Sequence, residues 1–255
     1  MLKNKTVLIT GASSGIGMSC AESFAKAGSK LLLCARRLDI IADLAAKLKR
    51  EQGVETYIFQ CDVRDYAAIK KQMTALPAEW KTVDVLINNA GLAAGLETIQ
   101  ESDVQDWEVM IDTNLKGLLY MTREISSQMA QRKSGHIINI TSISGHQIYP
   151  KGAVYCATKH AVVALSQGLR MDLLGTNVRV SMVSPGAVET EFSLVRMKGD
   201  VKRAAGVYEG WTPLKAEDIA DAVLYCATRP LHVNVSEILV MPTAQAAVGM
   251  VAKES

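Results

Sequence analysis

The chain contains a tyrosine and a lysine four positions apart, Tyr155 and Lys159, that could together move a proton. They stand at the start of a periodic apolar run, and a helix there would place them one turn apart on the same face. A tyrosine hydroxyl loses its proton near pH ~10, and a neighbouring ammonium group lowers that pKa because it stabilises the phenolate. The pair is therefore a candidate general acid and base. An ordinary surface pair at the same spacing is the alternative, and other parts of the chain have to decide between them.

A second segment has the composition of a phosphate-binding turn. Residues 10–17 read Thr-Gly-Ala-Ser-Ser-Gly-Ile-Gly, between a β-branched run and a helical pattern that ends at Gly28. Glycines let the backbone turn tightly against a pyrophosphate, whose charge is met by free N–H groups at the helix N-terminus. The spacing is Gly-x-x-x-Gly-x-Gly rather than Gly-x-Gly-x-x-Gly. The motif predicts a nucleotide site mainly because it lies between a strand and a helix.

Two arginines, Arg36 and Arg37, end the next apolar run. In dinucleotide folds this position reads the adenosine ribose, and an acidic residue there accepts a hydrogen bond from the free 2′-hydroxyl of NAD. Guanidinium groups would instead pair with the 2′-phosphate of NADP. The sequence therefore favours NADP, with Arg36 the stronger candidate. The alternative is that both arginines merely open the solvated helix predicted at 38–51.

Further polar residues follow predicted strands or interrupt a predicted helix. Asp62 ends the third strand, where it could face an adenine edge or cap the helix that starts near Tyr66. The Asn88–Gly91 segment follows the fourth strand, and its amides could hold backbone groups and line a cofactor groove. Asn114 interrupts a long helical pattern, so it could serve a site or be merely tolerated. Ser142 follows the fifth strand, at the strand end where ligands bind in open α/β sheets.

The elements that must position these residues alternate regularly along the chain. Apolar or β-branched runs, with helical patterns between them, predict strands at 5–10, 30–35, 55–60, 83–87, 135–140, 178–183 and 236–241. Such alternation requires a parallel sheet with helices on both faces. No linker or repeat divides the chain, so the prediction is one α/β domain over residues 1–255.

Two stretches lack this regular pattern. Residues 187–214 are irregular and mixed in charge, and a long structureless connection inside a compact domain is usually a lid or binding loop. Residues 243–255 are rich in alanine and glycine. We expect this tail to pack against another subunit or against the site.

Composition argues against several other classes of protein. The 255 residues carry a net charge of +2 without a block of like charges, so nothing favours nucleic acid or an anionic membrane as a partner. Five cysteines without a Cys-x-x-Cys pair favour reduced thiols over a disulfide frame or a metal site. The N-terminal apolar run is too short for a signal peptide or a membrane span. We therefore expect a cytoplasmic protein that needs no metal.

The order and spacing of the motifs resemble those of the short-chain dehydrogenase/reductase superfamily over essentially the whole chain. The resemblance implies a single-domain, Rossmann-like three-layer sandwich whose parallel strands have the order 3-2-1-4-5-6-7. It implies that Tyr155 is the general acid and base at a carbonyl or alcohol oxygen and that Ser142 hydrogen-bonds the same oxygen. It also implies that Lys159 holds the nicotinamide ribose and lowers the Tyr155 pKa, while Asn114 links Lys159 to solvent through a water molecule.

The resemblance also implies a set of residues that contact the cofactor, NADP. These are Gly11, Ser13, Ser14, Gly15, Ile16, Gly17, Arg36, Arg37, Asp62, Val63, Asn89, Ala90, Gly91, Tyr155, Lys159, Pro185, Gly186, Val188 and Thr190. The cofactor performs the redox chemistry, while two preplaced donors would stabilise the alkoxide-like oxygen that hydride transfer creates.

A narrower resemblance is to the NADP-dependent 3-hydroxy acid dehydrogenases, which oxidise L-serine, L-allo-threonine and 3-hydroxy acids and reduce malonic semialdehyde. The segments that carry it are 76–80, 88–93, 106–108, 110–114, 191–193, 195–196, 198–200, 232–234 and 241–243. The Val-Asp-Gly-Gly-like segment usual in 3-oxoacyl-carrier-protein reductases is absent. The loop 146–150 carries no signature of the group. A homotetramer is the assembly that the resemblance implies.

A short hydroxy acid needs a cation for its carboxylate. Arg196 is the first candidate, because arginine binds carboxylates bidentately and the irregular stretch that holds Arg196 closes the site in the family. Lys198 and Lys151 are weaker candidates, and a solvated surface charge is the alternative for Arg196. The predicted function is NADP-dependent interconversion of a 3-hydroxy acid and its 3-oxo acid.

Two other functions remain open. One is reduction of a larger ketone, such as a sterol, a sugar or an acyl thioester; Arg196 and the short-acid segments speak against it. The other is a scaffold that senses NADP without turnover, against which the intact set Ser142, Tyr155 and Lys159 argues. Neither charge nor pattern supports DNA or membrane binding.

Overall fold

The computed structural model describes residues 2–253. The N-terminal half contains β1 (Thr6–Thr10), α1 (Gly15–Lys26), β2 (Lys30–Ala35), α2 (Leu38–Gln52), β3 (Thr56–Gln60), α3 (Tyr66–Ala75), β4 (Val85–Asn88), α4 (Val104–Ile111) and α5 (Leu118–Gln131). The C-terminal half contains β5 (Gly135–Ile140), α6 (Ala153–Asp172), β6 (Val178–Pro185), α7 (Phe192–Arg196), α8 (Val201–Gly206), α9 (Ala216–Thr228), β7 (Glu237–Val240), β8 (Gln245–Ala247) and β9 (Met250–Val251).

The main sheet has seven strands in the order β3-β2-β1-β4-β5-β6-β7, and all neighbouring strands are parallel. The chain reverses direction across the sheet between β1 and β4, which gives the topological switch point at which open α/β sheets bind ligands. The predicted fold class and strand order are therefore confirmed.

Alternation along the strands sends side chains to two cores. Val7 and Ile9 of β1 face one core, which α1, α2 and α9 cover, whereas Leu8 faces the other, which α3 and α5 cover. Phe24 of α1 and Met121 of α5 are fully buried at the centres of these layers. Because both faces are covered, the strands are continuously apolar, as buried parallel strands must be.

The long helical pattern predicted to break near Thr113 is interrupted there. After α4 ends, residues Asp112–Gly117 form a π-helical turn, and α5 begins at Leu118. Such single-turn widenings of a helix occur frequently at functional sites.

The two irregular stretches contain more regular structure than the sequence indicated. Residues 187–214 include the short helices α7 and α8, which were missed because each buries only one side chain, Ser193 and Ala204, and so shows no apolar stripe. The tail forms a two-stranded antiparallel hairpin from β8 and β9. Strands of two or three residues are too short to show an alternation of apolar and polar side chains.

Among residues 2–253, no helix combines the length and hydropathy needed to cross a membrane. The same part of the chain holds no group of three or more His, Cys, Asp or Glu side chains placed to bind a metal ion. All five cysteines are free and buried.

Candidate active site

The turn between β1 and α1 leaves room for a ligand close to the backbone. Gly11 has a φ of 66°, in the left-handed region that favours glycine. A Cβ atom on Gly17 would lie 2.3 Å from the Gly11 carbonyl oxygen and 2.5 Å from Asn89 Nδ2, so no side chain fits there. Ser14, at the N-cap, makes no side-chain hydrogen bond to the helix, which leaves the first N–H groups of α1 available to an anion.

Thr10 and Asn89 fasten this turn to the end of β4. The Thr10 hydroxyl accepts hydrogen bonds from the backbone N–H groups of Asn89 and Ala90, both at 3.0 Å. The Asn89 amide donates to the carbonyl oxygens of Thr10 and Gly11, at 2.9 and 3.2 Å. Asn88 instead turns into the core, where its amide donates to two buried side chains. Asn89 is thus the asparagine that shapes the groove, and Thr10 contributes in a way that the sequence did not single out.

The two arginines after β2 have different surroundings. Arg37 donates to the side chain and backbone of Ser13, at 3.2 and 3.3 Å, and forms a 2.9 Å ion pair with Glu191. Arg36 lines the same cavity, but no carboxylate in residues 2–253 forms an ion pair with it. Of the two predicted phosphate ligands, Arg36 has its charge unpaired, while Arg37 bridges the glycine turn to the segment that precedes α7.

Asp62 lies at the edge of this cavity and is held by Arg64. The Arg64 Nε and Nη2 atoms donate to both carboxylate oxygens, at 2.6 to 3.0 Å, and these hydrogen bonds lower the pKa of Asp62. The cap of α3 is Asp65, whose carboxylate accepts from the Ala68 N–H at 2.9 Å. The capping alternative for Asp62 is therefore wrong, and its carboxylate stays ionised beside the cavity.

Ser142, Tyr155 and Lys159 converge where β5 ends and α6 begins. The Ser142 Oγ accepts a hydrogen bond from the Ser144 N–H at 3.0 Å, which fixes the short turn after β5. The Lys159 Nζ lies 5.9 Å from the centroid of the Tyr155 ring and donates to the Ile140 carbonyl at 3.1 Å. All three side chains line the cavity, and each residue is less than a tenth exposed.

The pKa of Tyr155 is raised overall in this structure, and the lowering by Lys159 that the resemblance implies stays a prediction. Burial is the largest effect on the phenol and raises its pKa above the ordinary value; Tyr149 adds to the rise, whereas Ser142 and Arg196 oppose it. Burial also lowers the pKa of Lys159 to about 8. The physical reason is that loss of solvent disfavours the charged form of both groups.

Asn114, in the π-helical turn, ties the loop after β4 to α6. Its Oδ1 accepts from the Leu92 N–H at 2.8 Å, and its Nδ2 donates to the Leu92 carbonyl at 2.8 Å and to Thr158 Oγ1 at 3.1 Å. A Cβ atom on Gly91 would lie 3.2 Å from Asn114 Oδ1 and 3.6 Å from Lys159 Nζ. The asparagine therefore belongs to the surroundings of Lys159 rather than being a tolerated polar residue.

These groups surround one cavity of about 780 Å³, within the range of ~300–1,000 Å³ usual for ligand sites. Every predicted cofactor residue except Gly17 lines it. The glycine turn without side chains, the uncapped start of α1 and the unpaired Arg36 fit a phosphorylated dinucleotide. The opposite wall was missed by sequence reasoning: Tyr149, Tyr208, Trp211 and Val248 come from irregular segments without a motif.

Arg196 is the one candidate for a carboxylate ligand, among the three considered, that lines this cavity. Its guanidinium carbon lies 5.1 Å from the ring centroid of Tyr149 and 5.9 Å from that of Tyr155. Its Nε donates to the Gly95 carbonyl at 3.2 Å, while the Gly95 N–H donates to the Arg196 carbonyl at 3.0 Å. The reciprocal hydrogen bonds hold the guanidinium above both phenol rings.

The two lysine candidates lie elsewhere. Lys198 forms a 2.8 Å ion pair with Asp106, which holds the pKa of this lysine above its ordinary value. Lys151 is exposed and adjoins a separate small depression next to Trp107 rather than the large cavity. Tyr155 and Arg196 line that depression too, but neither lysine lines the large cavity that holds Ser142 and Lys159.

The comparisons with known proteins agree with this geometry. A family model described as short chain dehydrogenase matches residues 5–198. The NADP-dependent 3-hydroxy acid dehydrogenase YdfG of Salmonella typhi is 48% identical over 245 residues, which cover 96% of this chain and 97% of the relative. Sulfoacetaldehyde reductase 2 of Chromohalobacter salexigens is 44% identical, with 94% and 95% covered. Among solved structures, the closed form of serine dehydrogenase complexed with NADP⁺ superposes with a TM-score of 0.90 at 45% identity, covering 98% and 100% of the two chains.

Proposed function

The chain belongs to the short-chain dehydrogenase family, and we propose that it interconverts a short 3-hydroxy acid and its 3-oxo acid with NADP as cofactor. The observation that carries this proposal is the position of Arg196, whose guanidinium carbon lies 5.9 Å from the ring of Tyr155 in the same cavity. A small substrate can then reach the acid–base group and a cation at once.

The preference for NADP rests on Arg36. Its guanidinium borders the cavity without a carboxylate partner in the described chain, as binding a 2′-phosphate requires. Relatives at 45–48% identity that are named for NADP support the same choice. Bound NADP supplies the hydride acceptor for alcohol oxidation and the hydride donor for carbonyl reduction.

The proton chemistry belongs to the chain's own side chains. Ser142 and Tyr155 present two hydroxyls to the substrate oxygen, and Tyr155 gives or takes the proton there. Burial holds Tyr155 in its protonated form, which suits donation to a developing alkoxide. Lys159 holds the ribose side of the cofactor site, and Asn114 fixes the surroundings of Lys159.

The substrate's charge is met by Arg196. Its Nε donates to the Gly95 carbonyl and its guanidinium lies beside the Tyr149 hydroxyl, but no carboxylate in residues 2–253 pairs with it, so its charge is open to an anionic group. Sulfoacetaldehyde, the substrate in the name of one relative, also joins a carbonyl to an anion over a short chain. This favours a second candidate function, reduction of a short sulfonate aldehyde, at the same site.

Larger ketones fit this arrangement less well, because Arg196 would face an uncharged part of the substrate. A non-catalytic NADP-sensing scaffold would have no use for Ser142, Tyr155 and Lys159 together.

We also propose one domain over residues 1–255, with 187–214 as the substrate loop and 243–255 as a tail that closes the site. We further propose that the chain assembles as a homotetramer and is located in the cytoplasm. Light scattering after gel filtration measures the number of subunits.

An NADP⁺ reduction assay tests the function. The panel contains L-serine, L-allo-threonine, 3-hydroxyisobutyrate, 3-hydroxypropionate, isethionate and uncharged cyclic alcohols. We expect the highest kcat/KM for a short anionic alcohol and its loss in Tyr155→Phe. Turnover limited to uncharged or bulky alcohols would contradict the substrate class, and undiminished turnover in Tyr155→Phe would contradict the acid–base role.

A further inference from the structure

Tyr149 is the residue of the cavity wall whose polar group has no role so far. Its hydroxyl oxygen is buried, with less than 1 Å² accessible, and no group in residues 2–253 accepts its proton; the neighbouring Arg196 guanidinium can only donate. A buried hydroxyl without a partner is unfavourable, and most buried side-chain polar atoms in folded proteins have one. The unsatisfied hydroxyl therefore points to a ligand that supplies an acceptor.

The ring of Tyr149 is held in place. A Cβ atom on Gly152 would lie 2.2 Å from the Tyr149 Cε2 and Cζ atoms, so the ring occupies the space that a side chain at position 152 would need. The Arg196 guanidinium covers the ring at 5.1 Å from its centroid, a cation–π distance. Tyr149 and Arg196 thus pack against each other, although they are 47 positions apart in the sequence.

This pair lies next to the reacting end of the cavity. The Arg196 guanidinium contacts the rings of both Tyr149 and Tyr155, and Tyr149 is close enough to raise the pKa of Tyr155. Burial also raises the pKa of Tyr149 itself, so its hydroxyl keeps its proton and can donate. A substrate oxygen between the guanidinium and the Tyr149 hydroxyl would find two donors.

We propose that Tyr149 is a specificity-determining residue: its hydroxyl donates a hydrogen bond to the carboxylate of the substrate while Arg196 binds the same carboxylate. The inference rests on the proposed function and adds the second ligand of the anion. It gives a physical reason for selectivity, because an uncharged substrate of the same shape would leave both the phenol and the guanidinium unsatisfied. It also assigns a role to the loop 146–150, in which the sequence showed no signature.

The test is Tyr149→Phe, which removes one oxygen and keeps the ring beneath Arg196. We expect kcat/KM for 3-hydroxypropionate to fall about tenfold or more, mostly through KM, because a hydrogen bond to a charged group is lost. For the uncharged methyl ester of the same acid, kcat/KM should change less than about twofold, because this hydrogen bond is to the carboxylate. In a double-mutant cycle with Arg196→Gln, the two losses should not add, because both residues bind one group.

Tyr208→Phe is the matched control. Tyr208 also lines the cavity, but its hydroxyl already donates to the Val188 carbonyl at 2.8 Å. Its loss should change the turnover of acid and ester by the same factor. NADPH binding, followed by fluorescence, shows that each variant retains its fold.

The outcomes separate the two proposals. If the unaltered enzyme oxidises no hydroxy acid with NADP⁺, the proposed function fails. If it oxidises the acid and Tyr149→Phe does so equally well, or if the variant loses acid and ester turnover alike, only the role of Tyr149 is overturned.

Discussion

The Gln147 Oε1 accepts a hydrogen bond from the backbone N–H of Val248 at 2.9 Å, which joins two residues that are 101 positions apart. Gln147 lies in the loop between β5 and α6, and Val248 lies at the tip of the C-terminal hairpin. At the other end of the hairpin, the Gln245 side chain accepts from the Ala187 N–H at 2.8 Å. Because Gln245 and Val248 both line the cavity, these two contacts fix the C-terminal wall of the site.

Gln147→Ala should loosen this wall. One hydrogen bond to the hairpin is worth about 0.5–1.5 kcal/mol, so we expect KM for a short hydroxy acid to rise about two- to tenfold, with the dissociation constant of NADPH changed much less. Steady-state kinetics and fluorescence titration measure the two quantities. Gln52→Ala, at the exposed end of α2, is the control and should leave both unchanged. Equal effects of the two variants would show that the contact does not hold the wall.

Arg36→Asp should reverse or erase the preference for NADP. The substitution replaces the guanidinium that attracts the 2′-phosphate of NADP by a carboxylate that repels it. We therefore expect kcat/KM with NADP⁺ to fall by about a hundredfold or more, while kcat/KM with NAD⁺ does not fall. Arg50→Asp, an exposed charge change of the same kind on α2, should leave the cofactor ratio unaltered. Comparable kcat/KM for both cofactors in the unaltered enzyme would refute the assignment of Arg36.

Gly17→Ala should abolish cofactor binding or destabilise the glycine turn, since its Cβ would lie 2.3 Å from the Gly11 carbonyl oxygen. Isothermal titration with NADPH and thermal unfolding measure both effects. The control is Gly168→Ala within α6, where no atom lies within 4 Å of the added Cβ. That change should stabilise the protein by roughly 0.5–1 kcal/mol, because alanine favours a helix more than glycine does. Normal NADPH affinity in Gly17→Ala would contradict the conclusion that no side chain fits at position 17.

Lys159 should give stability a recognisable pH dependence. Its pKa of about 8 in the folded chain lies below the ordinary 10.5. The unfolded chain therefore binds more protons between these values, so the free energy of unfolding rises with pH across this window. At about 1.4 kcal/mol per pKa unit, the total is roughly 3 kcal/mol.

Lys159→Met removes this titration. The stability of the variant relative to the unaltered enzyme should be greatest below pH 8 and should decrease by roughly 3 kcal/mol up to about pH 10.5, as measured by urea unfolding at each pH. The exposed variant Lys47→Met should show no such decrease between pH 8 and 10.5, because Glu22 raises the pKa of Lys47 above its ordinary 10.5 and its own titration lies at higher pH. A difference between Lys159→Met and the unaltered enzyme that does not vary with pH would exclude the buried ammonium as its source.

The fold was largely predictable from the sequence. Buried parallel strands are short apolar runs. The ends of β1, β2 and β5 were predicted to within one residue because a glycine, an arginine pair and Thr141-Ser142 follow these strands. The short helices α7 and α8 and the hairpin β8–β9 were not predicted. Elements of two to six residues carry too few side chains to show a period, and packing onto the cavity decides their conformation.

The sequence by itself determined the family, the strand order and the positions of Ser142, Tyr155 and Lys159, because these depend on local motifs in a fixed order. Tertiary structure alone decided what surrounds them. It separated Arg36 from Arg37 by giving only Arg37 a carboxylate partner among residues 2–253, and it brought Arg196 to 5.1 Å from the Tyr149 ring. It also made burial outweigh charge at Tyr155. Partners, distances and loss of solvent arise from contacts between residues far apart in the chain, which no local pattern encodes.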